Sequence, residues 1–324
     1  MSKPLIEIRE LETAFDTNAG KFQALRGISL RIDRGERVGL VGESGSGKSV
    51  TARSILQLID DAGEIEGGSI EFQGENLLNA SDGRMQEIRG RNITMIFQDP
   101  STSLNPVYSV RNQMVEAIAH NRDIGDAEAE DVALENLELV DMPDPERVLN
   151  SYPHELSGGM KQRVSIAMTL GFDPDLIIAD EPTTALDVTV QKKVLDIFQR
   201  IVDERDLSVL WITHNLGVVA EFCDKVAVIY AGEIVEYGDI YQIFDNPTHP
   251  YTRELLETIP NIERPDERLR VIEGTVPSMA NPPSGCTFHP RCPDAERRCE
   301  TTRPEEVTGD RHEAACLVHD VEDQ

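Results

Sequence analysis

Apolar residues fall along this chain in short dense runs whose spacing changes character more than once. Leu5, Ile6 and Ile8, then Leu25, Ile28, Leu30 and Ile32, approximate the period-two pattern of half-buried β-strands. Arg37-Val38-Gly39-Leu40-Val41 reads as a buried strand that opens into a glycine-rich segment, and a helix is predicted from about Lys48 to Leu58. Gly67-Gly68 predicts a break before a further strand at Ser69 to Gln73, and Ile93 to Phe97 predicts a short strand ending at Gln98.

From about 101 to 170 the strand signals vanish. Helical patterns occupy Val110–Ala119 and Ala127–Leu139, the second strongly acidic. Strand Leu176–Asp180, helix Val188–Val202, strand Ser208–Thr213 and strand Lys225–Tyr230 then restore an α/β alternation, so parallel strands joined by helices are expected around a helical insert. Near Asn246–Pro250 the texture shifts again. Residues 260–324 hold eight prolines and four cysteines with little periodicity, the composition of a loop-rich appendage that needs a staple.

The 324 residues allow one large domain or one domain plus an appendage, and 39% hydrophobic content suits a soluble protein. No apolar stretch approaches the ~18 residues of a membrane span, and MSKPLIEIRE has no apolar signal region, so a cytoplasmic location is expected. Charge changes the picture more. Acids outnumber bases 59 to 31, for a net charge of −28. Such a surface repels phosphate backbones and excludes nucleic acid as a bulk partner. It also matches a salt-rich cytoplasm, where screening to about 3 Å at molar salt removes self-repulsion.

Against that background two segments read as phosphate chemistry. GESGSGKS, Gly42 to Ser49, fits G-x(4)-G-K-[ST] between an apolar strand and a helix. Its glycines (Gly42, Gly45, Gly47) let the N–H groups of a loop that also contains Glu43, Ser44 and Ser46 curl around phosphate oxygens, and the helix N-terminus adds partial positive charge. Lys48 supplies an ammonium to the same oxygens, and the Ser49 hydroxyl suits Mg²⁺. In DLIIADE, Asp175 to Glu181, an apolar strand ends in Asp180, suited to holding Mg²⁺ through water, followed by Glu181, suited to polarising an attacking water.

LSGGMKQ, Leu156 to Gln162, lies between those motifs, with Ser157 twenty-three residues before Asp180. It resembles the signature of ATP-binding-cassette (ABC) proteins, and residues 1–245 resemble the nucleotide-binding subunit of an ABC transporter. The resemblance implies a P-loop NTPase with a RecA-like core, an N-terminal antiparallel β subdomain and a helical subdomain at about 101–170. It further implies that Ser157, Gly158, Gly159 and Gln162 face ATP held by an opposite cassette. Gln98 matches the Q-loop residue on Mg²⁺ or the lytic water, Thr184-Ala185-Leu186-Asp187 the D-loop, and His214 the switch histidine. Phe15, nine residues before Ala24, matches the aromatic that stacks on adenine, with Phe22 as competitor and a core role as the alternative.

Gln98-Asp99-Pro100-Ser101-Thr102-Ser103-Leu104-Asn105-Pro106 resembles the Q-loop extension of dipeptide and oligopeptide import ATPases. Asn246-Pro247-Thr248-His249-Pro250-Tyr251-Thr252 and Gly285-Cys286 with Phe288-His289-Pro290-Arg291-Cys292-Pro293 resemble that group's C-terminal extension, here 246–324. The resemblance implies a second cassette, commonly a paralogue, two membrane permeases and an extracytoplasmic solute-binding protein, with this chain on the cytoplasmic face. Nickel and sugar importers share the group. A non-transport ABC ATPase is the contrasting class, disfavoured by the 109-residue interval from Lys48 to Ser157, the single cassette and the charge.

Cys286, Cys292, Cys299 and Cys316 are spaced x(5), x(6) and x(16), while Cys223 stands alone. A cytosolic chain disfavours disulfides, and the C-x(2–4)-C pairs of zinc ribbons are missing. Four thiolates can hold a [4Fe–4S] cluster, which the family resemblance implies, with zinc aided by His289 or His312 and an unmetallated site as alternatives.

Overall fold

The computed structural model describes residues 3–17, 20–99, 103–183, 187–259, 272–309 and 311–321. Two compact units emerge, one formed by 1–79 with 211–324 and the other by 80–210.

In the first unit, β1 (Ile6–Thr17), β2 (Gly20–Ile32), β4 (Gly63–Phe72) and β5 (Glu75–Asn76) form an antiparallel sheet in the order β2-β1-β4-β5. Leu5, Ile6, Ile8, Leu11, Leu25, Ile28, Leu30 and Ile32 are all buried, so the alternation in the sequence marks a true core face. The expected break at Gly67-Gly68 is instead an irregularity inside β4. The β1–β4 register shifts between Arg9 and Glu12, where Glu10 has φ 49° and Gly68 has φ 88°. A Cβ on Gly68 would lie 2.5 Å from the carbonyl oxygens of Arg9 and Glu10, so glycine admits the bulge and the strand continues.

The same unit holds β3 (Arg37–Val41), parallel to β9 (Lys225–Tyr230). β9 turns into antiparallel β10 (Glu233–Asp239), a strand the sequence pattern did not predict. The turn has Ala231 at φ 48° and Gly232 at φ 78°, the geometry of a two-residue type I′ hairpin. β10 is obscured in the sequence by Glu236, a carboxylate that is fully buried. It is satisfied by the N–H groups of Thr248 and His249 at 2.7 and 2.9 Å and by His312 Nε2 at 3.1 Å. A short strand, β11 (Glu313–Ala314), pairs antiparallel with β10.

In the second unit, β6 (Ile93–Ile96) runs parallel to β7 (Leu176–Asp180), tied at their start by Asn92 Nδ2 donating to Asp175 Oδ2 at 2.9 Å. Helices Val110–Arg122, Asp126–Leu139, Pro145–Leu149 and Gly158–Gly171 lie between those strands, and no strand occurs among the described residues 103–170. Ser109 caps the first of these by accepting the Asn112 N–H, and Asp126 and Glu128 place negative charge at the N-terminus of the second. Helix Val188–Arg205 follows, and β8 (Ser208–Thr213), buried at every residue, crosses the boundary at 210/211. Among the described residues no helix is long and apolar enough to cross a membrane.

His249 caps helix Pro250–Glu257, its Nδ1 accepting the Tyr251 N–H at 3.1 Å, which fixes it as the neutral Nε2–H tautomer. Burial depresses its pKa to about 4; His319 and Arg253 act in the same direction, and Glu236 opposes them. The unfolded chain therefore takes up this proton first as pH falls, and stability should drop by up to about 3 kcal/mol between pH ~6.5 and ~4. His249→Asn, which keeps a capping oxygen, is expected to lose that component. Urea midpoints of parent and variant compared across this range check it; parallel pH profiles would contradict the assignment.

Candidate functional site

The glycine-rich loop begins where β3 ends. A Cβ on Gly42 would lie 2.1 Å from the Ile229 carbonyl oxygen, so the backbone passes against β9 at a distance only glycine permits. Gly47 is left-handed at φ 110° and a Cβ there would meet Leu25 Cδ2 at 2.9 Å and the Ala24 carbonyl at 3.0 Å. Between them Ser46 N–H donates to the Glu43 carbonyl, and Gly232 N–H holds the Ser46 carbonyl at 2.8 Å. Lys48 is buried, with Nζ donating to the carbonyls of Gly42 and Glu43 at 2.8 and 3.0 Å, so the loop wraps its own ammonium. Helix Lys48–Ile55 starts directly behind it, and its first-turn N–H groups supply an anion-facing end. Ser46 Oγ is buried without a hydrogen-bond partner, a polar atom suited to a phosphate oxygen. Ser49 is half-buried in the first turn; Ser44 and Gly45 are exposed.

The first unit also carries Phe15 and His214. Phe15 pairs across β1–β2 with Phe22, ring centroids 6.4 Å apart, and both are half-buried, so neither is a core residue. His214 is exposed immediately after β8, ahead of helix Leu216–Phe222.

In the second unit β7 delivers Asp180, 6% exposed, and then Glu181, whose φ of 47° is uncommon for a residue with a side chain. Gln98 follows β6 and donates from Nε2 to Glu181 Oε2 at 3.1 Å, so two residues 83 positions apart meet at the ends of adjacent parallel strands. Ser157 caps helix Gly158–Gly171 by accepting the Met160 N–H, and Asp187 caps helix Val188–Arg205 by accepting the N–H groups of Thr189 and Val190. These ends share a pocket of about 400 Å³ lined by Ser157, Gly158, Gly159, Asp187, Arg163 and Val190 among others. A Cβ on Gly159 would lie 2.8 Å from Val190 Cγ1, while Gly158 faces open space. Gln162 does not line this pocket; it is 1% exposed on the packed side of its helix. Thr184, Ala185 and Leu186, and Pro100 to Thr102, lie outside the described residues.

The extension carries four of the five cysteines. All five are free thiols, and among the described residues no group of three or more His, Cys, Asp or Glu side chains is placed to hold a metal ion. Each sulfur of three is drawn into its own turn. Cys286 accepts from the N–H groups of Phe288 and His289, Cys292 from that of Asp294, and Cys316 from those of Val318 and His319 at 3.4 Å. Burial pushes the metal-free Cys286 and Cys292 thiols up to about 11, and it raises Cys223 further. The two histidines considered for zinc are engaged, His289 Nδ1 with the Cys286 carbonyl and His312 with Glu236. Cys286 still lies within electrostatic reach of Cys299 and Cys316, and Cys292 of Cys286 and Cys316, so the four sulfurs converge on one region of the extension.

Sequence reasoning missed two residues that touch the glycine-rich loop, Tyr251 and Arg291, both bonded to Glu43. Each lies in a motif quoted above, but no spacing rule links either to position 43.

A glycine loop wrapped around a buried lysine, a paired glutamine and glutamate at strand ends, and a serine-capped helix lining a pocket define a P-loop ATPase of the ABC type. Family models agree: residues 25–184 match "ABC transporter" and residues 235–299 match "Oligopeptide/dipeptide transporter, C-terminal region". The chain is 49% identical to a probable peptide ABC transporter ATP-binding protein of Sinorhizobium fredii, over 93% of this chain and 90% of the relative. It is 43% identical to the dipeptide transport ATP-binding protein DppD of Bacillus subtilis, over 98% and 95%. Among solved structures, the dimeric ABC transporter cassette MJ0796 superposes with a TM-score of 0.65 at 26% identity, covering 72% of this chain and 98% of that one. The chain belongs to the ATP-binding subunits of peptide ABC transporters.

Proposed function

We infer that this chain is the ATP-hydrolysing subunit that powers a membrane importer of dipeptides or oligopeptides. The observation that carries the reading is the coexistence in one chain of the phosphate loop at Gly42–Ser49 and the signature pocket at Ser157–Gly159, together with the peptide-transporter match at 235–299. A chain that presents both an ATP cradle and a second anion-binding helix end suits pairing in which each cassette's signature meets the other's ATP.

The roles follow from the chemistry. Loop N–H groups and Lys48 bind the β- and γ-phosphates of ATP, and Phe15 packs on the base. Ser49, Asp180 and Gln98 are hard oxygen donors suited to Mg²⁺, which when bound neutralises phosphate charge. Glu181 polarises the attacking water, Gln98 orients it through the contact with that carboxylate, and His214 reaches the γ-phosphate. Ser157, Gly158, Gly159 and Asp187 serve the partner's ATP, whereas Gln162 packs within its own cassette. We assign residues 1–245 to the cassette and 246–324 to the extension. The partner is a second cassette, a paralogue of this chain, and the pair works beneath two permeases, fed by a solute-binding protein, on the cytoplasmic face of the membrane. Glu181→Gln should lower ATP turnover by a factor of about 10² or more while ATP stays bound and a closed cassette dimer accumulates. ATPase rates with light scattering check this, and parent-like turnover would refute the role of Glu181.

Two finer readings complete the proposal. The four cysteines of the extension form a [4Fe–4S] site, a reading supported by the four-thiol donor set and by the electrostatic proximity of Cys286, Cys292, Cys299 and Cys316. Anaerobic purification followed by iron and sulfide analysis should find four of each per chain; iron-free protein, or zinc in its place, would exclude the cluster.

The charge of −28 suits a salt-rich cytoplasm. The chain is then expected to unfold at higher denaturant in molar KCl than in dilute buffer. Equal midpoints would remove the halophilic reading.

A further inference from the structure

The phosphate loop carries one acid, Glu43, and the extension reaches it by two routes. The Tyr251 hydroxyl accepts the Glu43 N–H at 3.0 Å, so this amide is committed behind the loop. Tyr251 is itself fully buried against Tyr230 and Phe288, with ring centroids 4.6 and 5.3 Å away. The second route is electrostatic. Arg291 grips the Glu43 carboxylate with both arms of its guanidinium, Nη1 to Oε2 at 2.7 Å and Nη2 to Oε1 at 3.2 Å.

The remaining donors of Arg291 are also satisfied. Nε donates to the Glu273 carbonyl at 2.9 Å, Nη2 also to that of Ile272 at 3.4 Å, and Nη1 also to the Tyr230 hydroxyl at 3.3 Å. The side chain is 5% exposed, and successive turns, Arg291 N–H to the Phe288 carbonyl and Cys292 N–H to that of His289, hold its backbone. A pair whose guanidinium is buried, forked and fully satisfied fixes geometry in a way a surface ion pair does not.

We propose that Arg291 is a positioning residue for nucleotide binding: it neutralises and orients Glu43, so that the extension sets how tightly the phosphate loop holds ATP. The inference rests on this loop being the ATP cradle. Without the guanidinium, a carboxylate in the second position of the loop carries an uncompensated charge close to the triphosphate, and repulsion there acts across a partly desolvated path.

The test is equilibrium binding of Mg-ATP to the full-length chain, with folding of every variant checked by circular dichroism. Arg291→Met should weaken ATP binding about tenfold, and Arg291→Lys, which keeps charge but loses the fork, by a smaller factor. Glu43→Gln added to Arg291→Met should restore affinity to within about twofold of Glu43→Gln alone, because the offending charge is gone. A residue that only props up the extension would not show that second-site recovery. Binding by Arg291→Met within about twofold of the parent, or a loss that persists undiminished in the double variant, would overturn the proposal. If Arg291→Met does not fold, the same comparison with Arg291→Lys decides it. Failure of the parent chain to bind ATP would remove the nucleotide reading and this one with it, and is visible before any variant is made.

Discussion

The close passage of Gly42 beneath the Ile229 carbonyl is the constraint on which the ATP cradle depends. A backbone that runs within van der Waals contact of β9 can turn at once into the phosphate loop, and no side chain fits in the gap. The hairpin that follows β9 completes the support. Gly232 donates its N–H to Ser46, and a Cβ on Gly232 would lie 2.6 Å from the Ala24 carbonyl, so β2 and the β9–β10 turn crowd around the same loop. Two glycines distant in sequence, Gly42 and Gly232, therefore answer to one packing problem. Once the backbone is set, the buried ammonium of Lys48 has two carbonyls to hold, and the helix behind begins in the orientation that aims its N–H groups at the loop.

Helix starts recur as the chemical unit of this molecule. Gly47, Ser157 and Asp187 each stand at the head of a helix, and each solves the problem of unpaired first-turn N–H groups differently. Ser157 and Asp187 accept N–H groups with their side chains, whereas Gly47 has no side chain and leaves its helix end to the loop. The last arrangement suits a phosphate ligand that substitutes for a cap. The serine cap leaves Gly158 in open space beside it, which suits an oxygen arriving from outside the chain.

Much of this was legible in the residues, for identifiable reasons. β3, β7, β8 and β9 are continuous apolar runs because they are buried on both faces, and such runs announce themselves. β10 was hidden by Glu236, because an acid with three internal donors is indistinguishable in sequence from a solvated one. Gly67-Gly68 misled because a bulge and a chain break demand the same residue. The Gln98–Glu181 contact follows from two parallel neighbours ending together; the sequence placed each residue at a strand end but did not pair them. The grip of Arg291 on Glu43 spans 248 positions and obeys no periodicity, and only the folded chain brings it out. The cysteines show the converse: the family resemblance implies four metal ligands, but nothing in the sequence tells which N–H groups each thiol accepts.

A chain this acidic that binds a polyanion must keep its attraction local. Its 31 lysines and arginines are outnumbered by 59 acids and make no net positive surface, and of its seven lysines (Lys3, Lys21, Lys48, Lys161, Lys192, Lys193 and Lys225) Lys48 is the one buried in the phosphate loop. Backbone N–H groups do the rest, and they carry no net charge for the surrounding carboxylates to cancel. Partial charges at a helix end act within the first turn, and salt screens distant surface charges much more than buried ones. The global field and the loop field are thus separable in space. The exception is a carboxylate inside the loop itself, where neither distance nor salt intervenes. Glu43 is that exception, which is why Arg291 meets it with a guanidinium that is buried, bidentate and satisfied at every donor group.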